Sequence, residues 1–126
     1  MSKYVDGFVL VVPNDKAEAY KQMATEGKEM WMRHGALEYF ECIGDDLKAQ
    51  EMGDMKALSF PELAKSKAGE NVWFSFIVFK SKAHRDEVNA KVMAEMGQQQ
   101  EKYKDTPMPF DMKRMAYGGF SVQVEG

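Results

Sequence analysis

The chain has 126 residues, 44% of them hydrophobic and 29% charged, with a net charge of −3 and a single cysteine. That length suits one domain, and no apolar run approaches the ~20 residues needed to span a bilayer. An acidic chain lacks the positive field that draws proteins to phosphate backbones or anionic lipid, so neither a nucleic-acid nor a membrane partner is expected. Cys42 alone excludes an intrachain disulfide, and the opening MSKYVDG has no signal-peptide core, so a reducing cytoplasm is expected. The eleven methionines read as plastic core filler or as an adaptable binding surface.

Residues 4–12, YVDGFVLVV, read as a strand ended by Pro13. Asn14 is placed as the N-cap of a helix in which Tyr20, Met23, Ala24, Gly27, Met30, Trp31 and His34 recur at spacings of three and four, on one face. Glu29 and Arg33 stand in i,i+4 relation, and Gly35 supplies a left-handed C-cap. ALEYFECI at 36–43 forms the next strand, turned by Gly44, Asp45 and Asp46. A charged excursion at about 47–69 is long for a plain connection. Within it SFPELAKS makes one helical turn, with Ser59 as cap and Pro61 in the first turn.

The third strand runs from about Asn71 to Lys80, and Ser81 caps a second helix in which Val88, Val92 and Met96 form one row joined by Met93. After GQQQEKYKD and the stiff TPMPFD, a last strand runs from Arg114 to Val124. The order β-α-β-β-α-β is the ferredoxin-like split βαβ arrangement, an α+β fold with an antiparallel sheet, read as a single domain over 1–126.

Strand side chains alternate between faces. In the third strand Val72, Phe74, Phe76 and Val78 share one face and Trp73, Ser75, Ile77 and Phe79 the other, and both are apolar. Right-handed crossovers place both helices on one face and leave the second bare. Three occupants suit it: RNA bases, a buried ligand, or a second copy of the sheet. The RNA reading is the weakest, because Val72 and Trp73 stand where an RNA-recognition strand carries a basic residue and glycine. Twofold pairing accounts for both faces at once, so a homodimer is expected. Trp73 and Ser75 are asked to line or to fill the layer turned towards the partner sheet.

YVDGFVL at 4–10, GALEYFEC at 35–42, DD at 45–46, SFIVFKSKAHRDEVNAKVM at 75–93 and PFDMKRMAYGGF at 109–120 resemble the YbaA-like family of small bacterial proteins of unknown function. The resemblance implies the dimeric α+β barrel superfamily, in which two ferredoxin-like sheets face each other around a cavity. Relatives there include cofactor-independent monooxygenases, haem-degrading enzymes, muconolactone isomerase-like proteins and ligand-binding regulators. The resemblance thus implies a fold rather than one reaction.

Asp6 stands out within an apolar strand. Facing a cavity, it would have a raised pKa and act as proton acceptor or donor; otherwise it pairs with Arg114 or Lys113, or meets water at a strand end. Tyr39 and Glu41 share one face of the second strand and allow the same two readings, whereas Cys42 is read as a buried small apolar group. Arg114 either clamps a carboxylate or pairs with Asp111 or Asp86, and Gly118-Gly119 implies a bulge or a close approach of a backbone or ligand. The catalytic candidates are therefore Asp6, Tyr117 and Arg114, and the ligand-binding candidates Tyr39, Glu41, Trp73, Ser75 and Asp111. His34 and His84 have no metal-ligand spacing, so no metal or cofactor is expected. The functional expectation is a small, partly apolar molecule held between sheet and helices, with cofactor-independent oxidoreductase or isomerase-like chemistry, or a non-catalytic ligand-binding or stress-related role.

Overall fold

The computed structural model describes residues 2–49 and 51–126. Two ten-residue strands dominate it, β1 (Tyr4–Pro13) and β5 (Glu70–Phe79), paired antiparallel along their whole length from Tyr4↔Phe79 to Pro13↔Glu70. Both are rich in β-branched and aromatic residues and apolar on both sides, which suits central strands. Shorter strands flank them, β2 (Glu38–Ile43) beside β5 and β6 (Ala116–Ser121) beside β1, giving the antiparallel order β2-β5-β1-β6. With α1 (Ala17–Arg33) and α3 (Lys82–Gln98) as crossovers, this is the expected βαββαβ ferredoxin-like α+β fold. The sheet is open, with β2 and β6 as its edges.

One face of the sheet lies under the helices. Ile77 and Phe79 pack with Met30 of α1 and with Val88 and Val92 of α3, while Leu10, Val12 and Trp73 pack with Tyr20 and Ala24 of α1. Each such side chain, once buried, stabilises the fold by about 1.5–3 kcal/mol. Trp73 and Ser75 therefore belong to the helix-covered layer and not to the layer that would meet a partner sheet. The alternation of β5 gave two apolar faces and no means of ranking them.

The opposite face carries Val5, Val9, Phe74, Phe76 and Phe120, with Phe40 stacked on Phe76 at 4.9 Å. Cys42 sits on that face opposite Phe74 and is exposed, not buried as expected. At one end α2 (Phe60–Ala64) covers the face, with Ala64 against Val11 and Val72.

Element ends follow their capping chemistry. Ser59 accepts from the Glu62 N–H at 3.2 Å and Ser81 from the His84 N–H at 3.1 Å, as expected for N-caps. Asn14 does not cap α1: residues Asn14–Lys16 form a 3-10 turn, and the Asn14 N–H donates to the Gly69 carbonyl at 2.9 Å. Gly35 takes the left-handed φ of 114° that ends α1. Arg33 turns away from Glu29 to Glu95 of α3, which also meets His34 Nε2 at 2.8 Å. Met93 stays 54% exposed and leaves the row formed by Val88 and Val92.

The excursion holds a hairpin absent from the sequence reading, β3 (Glu51–Met52) with β4 (Met55–Lys56), while α4 (Gln100–Tyr103) extends α3. Gly44 closes the excursion's stem: a Cβ there would stand 2.8 Å from the Val72 carbonyl oxygen. Gly118 and Gly119 pair in register with Gly7 and Asp6, without a bulge. What approaches them is the chain's own side chains, the Phe120 ring at Gly118 and the Tyr4 ring at Gly119.

Candidate functional site

Three polar assemblies are built on this scaffold, two of them in the layer under the helices. In the first, β1 carries Asp6 into that layer, where it is 1% exposed. Arg85 Nη1 donates to Asp6 Oδ1 at 2.8 Å, and Asn89 Nδ2 and the Tyr117 hydroxyl donate to Oδ2 at 3.1 and 3.3 Å. Asn89 in turn accepts from Trp31 Nε1 at 2.9 Å, and the Arg85 guanidinium lies 4.8 Å from the Tyr4 ring centre. Asp6 and Tyr117 thus come together as expected. The cation is Arg85, one turn into α3, and neither Arg114 nor Lys113. With three donors on a fully buried carboxylate, this assembly is a satisfied strut.

The second assembly lies where α1 crosses β2. Tyr20 of α1 donates to Glu41 Oε2 and Tyr39 to Oε1, each at 2.8 Å. Burial raises the Glu41 pKa above its ordinary 4.5, although the hydroxyls of Tyr39, Tyr20 and Ser75 all favour its charged form. Burial, followed by the Glu41 charge, also raises both tyrosines. Among the described residues no Lys, Arg or His forms an ion pair with Glu41. Beside it opens a cleft of about 470 Å³, walled by α1 from Ala17 to Lys28, by Tyr39, Glu41 and Ile43 of β2, and by Trp73. The Trp73 indole N–H is buried without an acceptor among the described residues.

Four of the five ligand-binding candidates, Tyr39, Glu41, Trp73 and Ser75, therefore meet on one side of the sheet. Tyr20 joins them, 21 residues away from Glu41 along the chain. Its sequence signal is its place in the apolar stripe of α1, which marks it as buried and says nothing of its hydroxyl.

The third assembly gathers the remaining candidates, Arg114 and Asp111, away from both others. Arg114 grips Glu70 through two donors at 2.8 and 2.7 Å, Asp111 at 2.8 Å and the Lys65 carbonyl at 2.8 Å. Its fork is filled by these four bonds, so Arg114 ties the foot of the excursion to the entry of β6. The Arg114 hydrogen bonds, aided by the Lys67 N–H, hold Glu70 down at about 2. A carboxyl whose folded pKa lies below its ordinary 4.5 contributes stability above 4.5 and loses it as pH falls towards 2. Glu70→Gln is therefore expected to lower the urea midpoint at pH 7 and to approach the parent as the pH is taken down to about 2. Equal gaps at both pH values would remove the ion pair as the cause.

Among the described residues no three His, Cys, Asp or Glu side chains gather as a metal set, and no helix is long and apolar enough to cross a membrane.

Comparison with known proteins agrees with this architecture. Two solved structures align over all of this chain at 10% identity: a dimeric ferredoxin-like protein from an uncultured marine organism, with TM-score 0.54 and all of its chain covered, and a protein of unknown function from Nitrosomonas europaea, with TM-score 0.52 and 94% covered. The chain is 41% identical over 123 residues, 98% of its own length and 98% of theirs, to the uncharacterized protein YbaA of Escherichia coli K12 and of Shigella flexneri. The family model described as protein of unknown function (DUF1428) matches residues 3–112. The chain therefore belongs to this YbaA-like family.

Proposed function

We propose that this is a cytoplasmic, homodimeric protein that binds a small, partly apolar molecule in the cleft between α1 and β2. The observation that carries the reading is Glu41: a desolvated carboxylate, held by two tyrosines, without a cation of its own, at the wall of a cleft of about 470 Å³. Clefts of roughly 300–1,000 Å³ with apolar walls and a few convergent polar groups are the usual form of small-molecule sites. Trp73 adds an aromatic wall and an indole N–H with no acceptor among the described residues, and such a group asks for an explanation. Homodimerisation is supported by the opposite face, where Phe40, Phe74 and Phe120 are 45%, 43% and 61% exposed on one sheet, the kind of contiguous apolar patch that marks an interface. One lone cysteine, exposed and unpaired, fits a reducing compartment.

Cofactor-free acid–base turnover is the second reading, favoured by the raised pKa of Glu41, since proton-transfer catalysts are tuned upward by burial. It moves the acid–base role from Asp6, which holds three donors including the Arg85 cation, to Glu41, which holds two tyrosine hydroxyls. The binding reading is tested by thermal shift with a small-molecule panel spanning charge classes, on the parent and on Thr25→Trp, which places an indole in the cleft from the exposed side of α1. Stabilisation of the parent that vanishes in Thr25→Trp is the expected result. A shift that survives the plug puts binding elsewhere.

A further inference from the structure

Resting on that reading of the cleft, we propose that its ligand is an organic ammonium: a primary amine on an apolar or aromatic body, its cation at Glu41 and its body against Tyr39 and Trp73. Charge decides between classes. Removing a carboxylate from water costs several kcal/mol unless a cation compensates it, and among the described residues Glu41 is held by neutral donors, the hydroxyls of Tyr20 from α1 and Tyr39 from β2. Each tyrosine takes one oxygen, and a carboxylate offers about four lone-pair positions, so acceptor capacity remains for further N–H donors.

Two aromatic rings, Tyr39 and Trp73, line the cleft beside Glu41. Tyr20 packs edge to face on Trp73 at 4.8 Å and Trp31 tilts onto Tyr39 at 6.1 Å, which fixes both rings in place, and aromatic faces attract cations. The other charged groups of the wall, Glu18, Lys21 and Lys28, are exposed on α1, and none of them contributes to the shift at Glu41. A ligand carboxylate would meet Glu41 as a like charge and would be accepted only with uptake of a proton. An ammonium pairs with the charged form of Glu41 instead. Its affinity accordingly falls as pH drops through the raised Glu41 pKa, whereas the affinity of an acid rises.

Three probes of one shape separate the classes by calorimetry: phenethylamine, phenethyl alcohol and hydrocinnamate. On the parent, the amine is expected to bind about ten-fold or more tightly than the alcohol, the size of one charge-assisted hydrogen bond, with that preference shrinking as the pH is lowered. In Glu41→Gln, which keeps an acceptor oxygen for the tyrosines, that preference is expected to collapse. Alcohol or acid binding as well as the amine, or an amine preference that survives Glu41→Gln, overturns the ammonium assignment and leaves the cleft reading standing. Silence from all three, and from the wider panel of the thermal-shift test, overturns both.

Discussion

Arg85→Met is expected to lower the unfolding free energy by about 3–5 kcal/mol, the cost of leaving a buried carboxylate without its cation. Asp6 is 1% exposed and Arg85 Nη1 is 2.8 Å from it, so the pair sits where water cannot take over the lost interaction. Asn89 and Tyr117 still donate to Oδ2, which sets the upper end of the range. The informative partner is the double variant Asp6→Leu with Arg85→Met. Removing both charges at once leaves no buried ion, and such replacements are often neutral or stabilising. Urea unfolding of the two single variants and the double, analysed as a cycle, is expected to show large coupling. A cost under about 1 kcal/mol for Arg85→Met would mean that the remaining hydroxyl and amide suffice, and the strut account would fall.

This pair also shows where sequence stops. Strand alternation marks Asp6 as an oddity among apolar neighbours, and its face is readable from period two alone. The identity of its cation is not, because Arg85 lies 79 residues away on a helix whose rotation depends on how Val88 and Val92 seat on the sheet. Arg114 is engaged elsewhere, by Lys65 of the excursion, Glu70 at the start of β5 and Asp111 of its own turn. Local chemistry was legible at Ser59, Ser81 and Gly35, which end helices by rules that need only neighbouring residues, but not at Asn14, where a 3-10 turn precedes α1. At Glu41 the strand face was legible and the site was not. Tyr20 and Trp73 reach it through tertiary packing, and burial of Glu41 is a property of the α1 crossing rather than of β2. The hairpin β3–β4 was missed because each of its strands has two residues, too few for a period to show.

Phe76→Glu is expected to convert the proposed homodimer to a monomer, weakening association by at least about a thousand-fold. That corresponds to roughly 4 kcal/mol, within the range of central aromatic hot spots. Phe76 lies mid-face, stacked on Phe40 at 4.9 Å and tilted against Phe74 at 5.8 Å, with Phe60 of α2 continuing the row at 6.3 Å from Phe74. A charge there is solvated in the monomer and stranded in a face-to-face dimer. The fold of the single chain is expected to hold, because the side chain points away from α1 and α3. Light scattering across a concentration series checks this, with Phe76→Leu as the control that keeps an apolar surface. A parent that is monomeric at micromolar concentration, or a Phe76→Glu that stays dimeric, would exclude this face as the contact.

The stem of the excursion is stitched shut at its base: the Gly44 N–H donates to the Val72 carbonyl at 2.8 Å, Asn71 Nδ2 donates to the Gly44 carbonyl at 3.0 Å, and the Asn14 N–H, in the turn after β1, donates to the Gly69 carbonyl. The chain leaves and re-enters the sheet across adjacent strands, and Ala64 and Leu47 pack the excursion back onto Val11 and Val72, so length added at its hairpin tip barely loads the scaffold. Doubling the length of a flexible loop adds only about 0.6 kcal/mol of closure entropy. Gly53, at the hairpin turn with φ of 65° and nothing within 4 Å of where a Cβ would stand, is therefore an access port. A dye-bearing peptide spliced there would touch none of the residues that line the Glu41 cleft, so the label would report on the protein without occupying its site.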